Sequence, residues 1–136
     1  MTRFRITALA ILLWNLIGDA AYLAQVTADP TKLAASDPVT AQAFAAMPTW
    51  AWAAYAIAVW LGTAGAVALL LGRRIATVLF ALSVAGVVAQ FGWSFLVFGL
   101  IARKGAATAL FPLVIFAVGL AQLAYARLKA RQGMLR

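Results

Sequence analysis

The residue best suited to chemistry is Asp19, the only acidic residue inside the apolar stretches of this chain. It lies in residues 6–26, which are apolar almost throughout but also contain Asn15 and Tyr22. Residues three or four apart share one face of a helix, so these three side chains are predicted to form one polar stripe. An ionisable group inside a membrane span costs about 2.5–3.5 kcal/mol on insertion scales and normally faces the protein interior. Asp19 therefore indicates a candidate site.

Two interpretations of Asp19 are open. In the functional one, its carboxyl binds a proton, a cation or a substrate hydroxyl, and it is neutral at pH 7 or titrates during transport. In the structural one, it hydrogen-bonds to Asn15, Tyr55 or Gln90 and fixes the register of the helices. Hydrogen bonds between membrane helices are worth about 0.6 kcal/mol on average, so they orient helices more than they stabilise them.

The composition places these residues in a membrane. The chain has 136 residues, 66% of them hydrophobic and 10% charged, with a mean hydropathy of +0.99. Soluble domains are about 45–50% apolar and about 25% charged, and a chain this short cannot bury so much apolar surface within itself. We therefore expect one all-α membrane domain that spans residues 1–136.

The residue types that are missing limit the chemistry. The chain has no Cys, no His and no Glu, so disulfides, thiol chemistry and the usual metal and haem ligands are absent. Asp29 and Asp37 lack the spacing of metal ligands, and Ser83 has no evident general base. The sequence therefore predicts a protein that is not an enzyme and that has neither a cofactor nor a metal site.

The apolar runs predict a bundle of four transmembrane helices. The first run is longer than the core of a signal peptide, so we expect it to be retained as a helix. In the loop after it, the pairs Asp29–Pro30 and Asp37–Pro38 each favour the start of a short helix. The predicted segments are spans at about 5–26, 49–71, 75–101 and 106–126, an outer loop at 27–48, and a basic cytoplasmic tail at 127–136.

The basic residues predict the orientation. The net charge is +8, but the positive residues lie between the spans and at the ends, which is typical of topology signals rather than of a nucleic-acid site. Most of them fall on the side that carries both termini, so the termini are predicted to be cytoplasmic. Three basic residues that follow the last span suit anionic lipid headgroups. They are Arg127, Lys129 and Arg131.

The depths of the polar residues predict one cluster. With a rise of about 1.5 Å per residue, Asp19 lies about 20 Å along the first span, in the outer half of a core about 30 Å thick. Gln90 and Ser94 of the third span and Tyr55 of the second fall near the same level. The predicted substrate or proton site, open toward the outer face, consists of Asn15, Asp19, Tyr22, Tyr55, Gln90 and Ser94.

Small residues predict where helices approach one another. Gly62 and Ala66 form a pair spaced by four residues in the second span, which lets another helix come close. The third span carries a longer stripe of alanines at the same spacing. The predicted helix-packing residues are Gly62, Ala66, Ala81, Ala85 and Ala89.

The order of these segments resembles a group of small bacterial four-span proteins loosely labelled sugar transporters or uncharacterised membrane proteins. The matching stretches are LLWNLIGDAAYL, MPTWAWAAYAIAVWLGTAGAVALLL and RRIATVLFALSVAG, within residues 12–94. Members of the group often have an aromatic residue directly after the Asp, whereas this chain has Ala20. The resemblance implies four helices and a membrane location, and it is a weaker indication of sugar transport. We expect the protein in the bacterial inner membrane.

Two functional hypotheses follow. The first is a small transporter or solute-binding membrane protein that works as a homo-oligomer, because four helices enclose little volume. The second is a non-catalytic accessory or assembly subunit of a larger membrane complex. Asp19→Asn should abolish the activity of the first and leave the second nearly unchanged.

Overall fold

The computed structural model describes residues 2–136, and each regular element in that range is a helix. The α-helices are α1 (Thr2–Val26), α2 (Pro30–Ser36), α3 (Pro38–Ala46), α4 (Thr49–Leu70), α5 (Ile75–Gly92), α6 (Leu100–Lys104) and α7 (Leu110–Arg131). A π-helical turn (Trp93–Val97) extends α5, and a 3₁₀ turn (Ala106–Ala109) precedes α7. Four segments are long and apolar enough to cross a membrane, namely Arg3–Val26, Thr49–Leu70, Ile75–Val97 and Ala106–Arg131. The predicted all-α bundle of four membrane helices is confirmed.

The loop between α1 and α4 is helical, as its two Asp-Pro pairs predicted. The carboxylate of Asp29 accepts hydrogen bonds from the backbone N–H groups of Thr31 and Lys32 at the start of α2. Asp37 caps α3 in the same way by accepting from the N–H of Thr40. In both helices a proline occupies the first position, where a missing N–H costs no hydrogen bond.

The third membrane segment is shorter than the predicted 75–101. The helix widens into the π-turn, where the N–H of Phe98 donates to the carbonyl of Trp93 at 3.0 Å. Gly99 then adopts a φ of +74°, a left-handed conformation that ends the segment. The fourth segment instead extends beyond 126, because α7 continues to Arg131 with Lys129 and Arg131 in its last turn. Cations there interact favourably with the helix dipole.

Helices α4 and α5 form the centre of the bundle, since α4 packs against α1 and α5, and α5 packs against α7. The backbone of α4 comes very close to that of α5 at Gly86, where a Cβ atom would lie only 2.6 Å from the carbonyl oxygen of Ala54 and 2.9 Å from the nitrogen of Ala58. Small residues are enriched where membrane helices pack because they permit this approach. The close contact fixes the position of α5 relative to α4.

The end of the bundle that carries Phe4, the α4–α5 turn and the last residues is called the terminal end. A buried apolar core there includes Phe4, Leu69, Phe80 and Leu135. The last residues fold back on the α4–α5 turn, since the N–H of Arg136 donates to Gly72 O at 2.7 Å. The opposite end, which carries α2, α3 and α6, is called the loop end.

Candidate functional site

A cavity of about 310 Å³ lies among α1, α4, α5 and α7, in the half of the bundle nearer the loop end. Helix α3 and the start of α6 cover it. Most of its lining is apolar, and none of the described residues that line it is charged. The lining residues with amide or hydroxyl side chains are Asn15, Gln25, Thr40, Tyr55, Ser83, Gln90, Ser94 and Gln122.

An amide pair joins the first and last membrane helices at one side of the cavity. The Nδ2 of Asn15 donates to Gln122 Oε1 at 2.9 Å and to the carbonyl of Ile11 at 2.8 Å. Both side chains are buried. On its other side Asn15 packs over Gly62, where a Cβ atom would overlap Asn15 Oδ1. Packing between three helices therefore fixes the amide.

A second polar group lies on α5 and the π-turn. Gln90 Nε2 donates to Ser94 Oγ at 3.2 Å and contacts the sulfur of Met47 at 3.7 Å. Both polar side chains are buried, and both line the cavity. Met47 follows α3, so this group connects the cover of the cavity to its wall. The π-turn matters here because such turns occur frequently at functional sites.

Tyr55 lines the cavity within a set of aromatic rings. Its ring stacks on Trp52 with centroids 6.2 Å apart and meets the ring of Tyr22 edge-on at 4.9 Å. Tyr22 also meets Trp60 edge-on at 6.5 Å. Tyr22 itself is not among the residues that line the cavity.

Asp19 lies between α1 and α4 and does not line the cavity. It is 4% exposed, its Oδ2 bonds to the hydroxyl of Thr63, and its Oδ1 has no hydrogen-bond partner. Four residues advance a helix by about 400°, so Asp19 is rotated by about 40° from Asn15. Asn15 thus reaches Gln122 on α7 as well as Gly62 on α4, whereas Asp19 bonds to Thr63 on α4.

The structure thus divides the residues expected to form one cluster. Asn15, Tyr55, Gln90 and Ser94 share the cavity, whereas Asp19 and Tyr22 lie outside its lining. The sequence interpretation also missed two partners of these residues, which are Thr63 for Asp19 and Gln122 for Asn15. Each is a polar residue in an apolar run, and that was the available signal. Their partners depend on helix rotations, which the sequence does not give.

An ionic contact holds the cover of the cavity. Lys104, at the end of α6, lies 2.7 Å from Asp37 Oδ2 and donates to Thr40 Oγ1 at 3.0 Å. The hydrogen bonds from Lys104 and then Thr40 lower the pKa of Asp37 from 3.8 to about 2. The contact therefore joins the two short helices at any pH near neutrality.

The cavity reaches the surface of the bundle between α1 and α7. Ile17 and Phe111 both line it, and they are 59% and 65% exposed. Closer to the terminal end the two helices approach each other through the Asn15–Gln122 pair and through the rings of Phe4 and Tyr125, 6.3 Å apart. Both residues belong to segments that are long and apolar enough to cross a membrane.

The predicted packing residues fall in two places. Gly62 and Ala66 are buried inside the bundle, whereas the Ala81, Ala85 and Ala89 stripe is exposed on its outer surface.

Of the three basic residues proposed to meet lipid headgroups, Arg127 and Arg131 are exposed. The ammonium of Lys129 lies over the ring of Tyr125, 5.3 Å from its centroid.

The chain matches no protein-family model, no curated protein and no solved structure. The resemblance to small bacterial four-span proteins therefore stays a prediction. The chemistry of the cavity has to be interpreted from its own geometry.

Proposed function

We propose that this protein is a small multi-pass membrane protein that binds an uncharged solute in the cavity and carries it across the membrane. The observation that supports this most is the lining of the cavity, in which amide and hydroxyl groups are set among apolar side chains without a charge. Its volume is near the lower end of the range of about 300–1,000 Å³ typical of small-molecule sites.

The lining favours a ligand that is partly polar and partly apolar. The Asn15–Gln122 pair and the Gln90–Ser94 pair lie on different helices around the cavity and can exchange hydrogen bonds with a hydroxyl or carbonyl group. The remaining wall is made of side chains such as Phe91, which suit a hydrocarbon part. A charged ligand would lose its hydration without gaining an opposite charge, at a cost of several kcal/mol.

Two routes lead to the cavity in this proposal. The gap between α1 and α7 admits a solute from the membrane, because exposed side chains of both helices form its rim. Movement of α3 would open the cavity to water at the loop end. The ion pair between Asp37 and Lys104 opposes that movement.

We place the protein in a bacterial inner membrane with the terminal end in the cytoplasm. Eight of the eleven basic residues belong to the terminal end, and three belong to the loop end. Cytoplasmic segments of membrane proteins carry such an excess. In this orientation Arg127 and Arg131 lie near the headgroups of the inner leaflet, where anionic lipids attract them.

An accessory role in a larger complex, or assembly with a second copy, is the other candidate. The exposed alanine stripe on α5 favours it, since small side chains allow a further helix to pack closely there. Replacing Ala85 by Leu should break such an assembly without changing the cavity. Native mass spectrometry of the particle from mild detergent would reveal either a second copy or a foreign subunit.

The binding test uses the protein in lipid nanodiscs with tritiated cyclohexanol and tritiated cyclohexanecarboxylate, and empty nanodiscs as the background. We expect saturable binding of the alcohol, with one site per chain, and no saturable binding of the carboxylate. Asn15→Leu and Gln90→Leu should each weaken the binding at least tenfold, whereas Ala85→Leu should not. Absence of saturable alcohol binding, or equal binding of both compounds, would refute the proposal.

A further inference from the structure

We infer that Asp19 and Thr63 form a proton-binding site, separate from the cavity, in which Asp19 carries its proton while α1 and α4 are packed together. The inference does not rest on the proposed function. It rests on the hydrogen-bond geometry of the two side chains and on the absence of a compensating charge around them.

The hydroxyl of Thr63 lies between two oxygen atoms. Thr63 Oγ1 contacts both Asp19 Oδ2 and the carbonyl oxygen of Val59, which is 3.1 Å away. A hydroxyl has one proton to donate, so it cannot donate to two acceptors at once. If Asp19 is protonated, its O–H donates to Thr63, and Thr63 donates to Val59. Both contacts are then hydrogen bonds.

The other oxygen of Asp19, Oδ1, is buried. The side chain is 4% exposed, and this oxygen has no donor in the described part of the chain. A buried charge without a partner is far more costly than a buried neutral group. In the protonated acid, Oδ1 is a neutral carbonyl-type oxygen, and leaving it unpaired costs much less than burying an unpaired charge.

The charged residues of the membrane helices are far from Asp19 in the sequence. The basic residues of α1 and α7 lie toward the terminal end, and the sequences of the α4 and α5 helices contain no charged residue. On α1 the ionisable residue nearest to Asp19 in sequence is Tyr22, and on α4 the ionisable residue is Tyr55. A phenol supplies no positive charge. The one group that could favour the ionised carboxylate is therefore the Thr63 hydroxyl, a single neutral donor.

The site lies directly behind the cavity wall. Asp19 follows Gly18, and the chain of hydrogen bonds ends on Val59; both of these residues line the cavity. A change in protonation can therefore alter the wall that a ligand contacts. This connection, unlike the proton itself, depends on the proposed function.

The test is infrared spectroscopy of the nanodisc-embedded protein at pH 7. We expect a C=O stretching band of a protonated carboxyl that shifts in D₂O and is lost in Asp19→Asn, a variant that retains Asp29 and Asp37. Thr63→Val should shift the band, since it removes the acceptor, whereas Thr63→Ser should leave it in place. A wild-type protein without this band at pH 7, or with an Asp19 carboxylate band that responds to Na⁺, would overturn the inference.

Discussion

Asn15 packs directly over Gly62, and its side-chain oxygen occupies the space that a larger residue at position 62 would need. The same amide donates to Gln122 on α7. Gly62 on α4 thus leaves room for the hydrogen bond between α1 and α7. That hydrogen bond closes the gap between α1 and α7 on the side of the cavity nearer the terminal end.

Gly62→Ala should therefore lower the free energy of unfolding by about 1–3 kcal/mol, the range expected for overpacking. In an Asn15→Ala background the same substitution should cost less, because the overlapping oxygen is gone. Thermal unfolding of the wild type, the two single variants and the double variant in detergent, followed by circular dichroism, measures the coupling between the two substitutions. For residues in contact this coupling energy is about 0.5–3 kcal/mol. An equal cost in both backgrounds would show that Asn15 does not determine the need for Gly62.

Gly86→Ala should be among the most harmful glycine substitutions, since its Cβ would press on the backbone of Ala54 and Ala58. Backbone cannot move aside as a flexible side chain can, so we expect a loss of about 1–3 kcal/mol or more. Gly92→Ala is the matched control, because a Cβ there meets nothing within 4 Å and the backbone is helical. It should be neutral or gain up to about 1 kcal/mol. Equal unfolding temperatures for the two variants would contradict the packing described for α4 and α5.

Asp37 should titrate with a midpoint of about 2, well below the ordinary 3.8 of a free aspartate. Folding lowers this pKa, so the contact stabilises the folded protein fully at pH values above 3.8. This stabilisation is lost as the pH falls toward about 2. Lys104→Gln should raise the midpoint toward 3.8, which ¹³C NMR of the side-chain carboxyl can follow. Lys32→Gln should leave it unchanged. A wild-type midpoint near 3.8 would mean that α3 and α6 are not joined in this way.

Leu135→Ala should lower the free energy of unfolding by about 2–5 kcal/mol, as for other buried leucines. Leu135 is 2% exposed in the core at the terminal end. Leu128→Ala provides the comparison, because that side chain is 47% exposed and surface substitutions usually change stability by less than about 0.5 kcal/mol. Thermal unfolding of the two variants separates the cases. Similar losses in both would show that the last residues do not pack on the bundle.

The bundle was predictable because hydropathy over about 20 residues identifies a membrane helix without reference to its neighbours. The caps at Asp29 and Asp37 were predictable for the same reason, since a capping contact is local. The third segment was predicted too long, because only the backbone reveals the left-handed Gly99 that ends it.

The site was less predictable because it depends on how each helix is rotated. Asn15 and Asp19 share a stripe in the sequence, yet a difference of about 40° gives them different partners. The role of Leu135 was also missed, since a short basic tail carries no signal that it folds back. Depth along a helix could be calculated from the sequence, and it placed four of the six expected residues around one cavity.

The central claim is that the cavity accepts neutral molecules, and the reactivity of a single cysteine within it tests this most directly. The chain has no cysteine of its own, so Ser94→Cys places one thiol in the cavity, and Ser36→Cys places one on the exposed surface of α2, outside the membrane segments. In nanodiscs, neutral methyl methanethiosulfonate should modify the cavity thiol at least tenfold faster than a sulfonate-bearing methanethiosulfonate, after division by the ratio of the two rates at Ser36→Cys. Equal normalised rates, or faster reaction of the anionic reagent, would contradict the account.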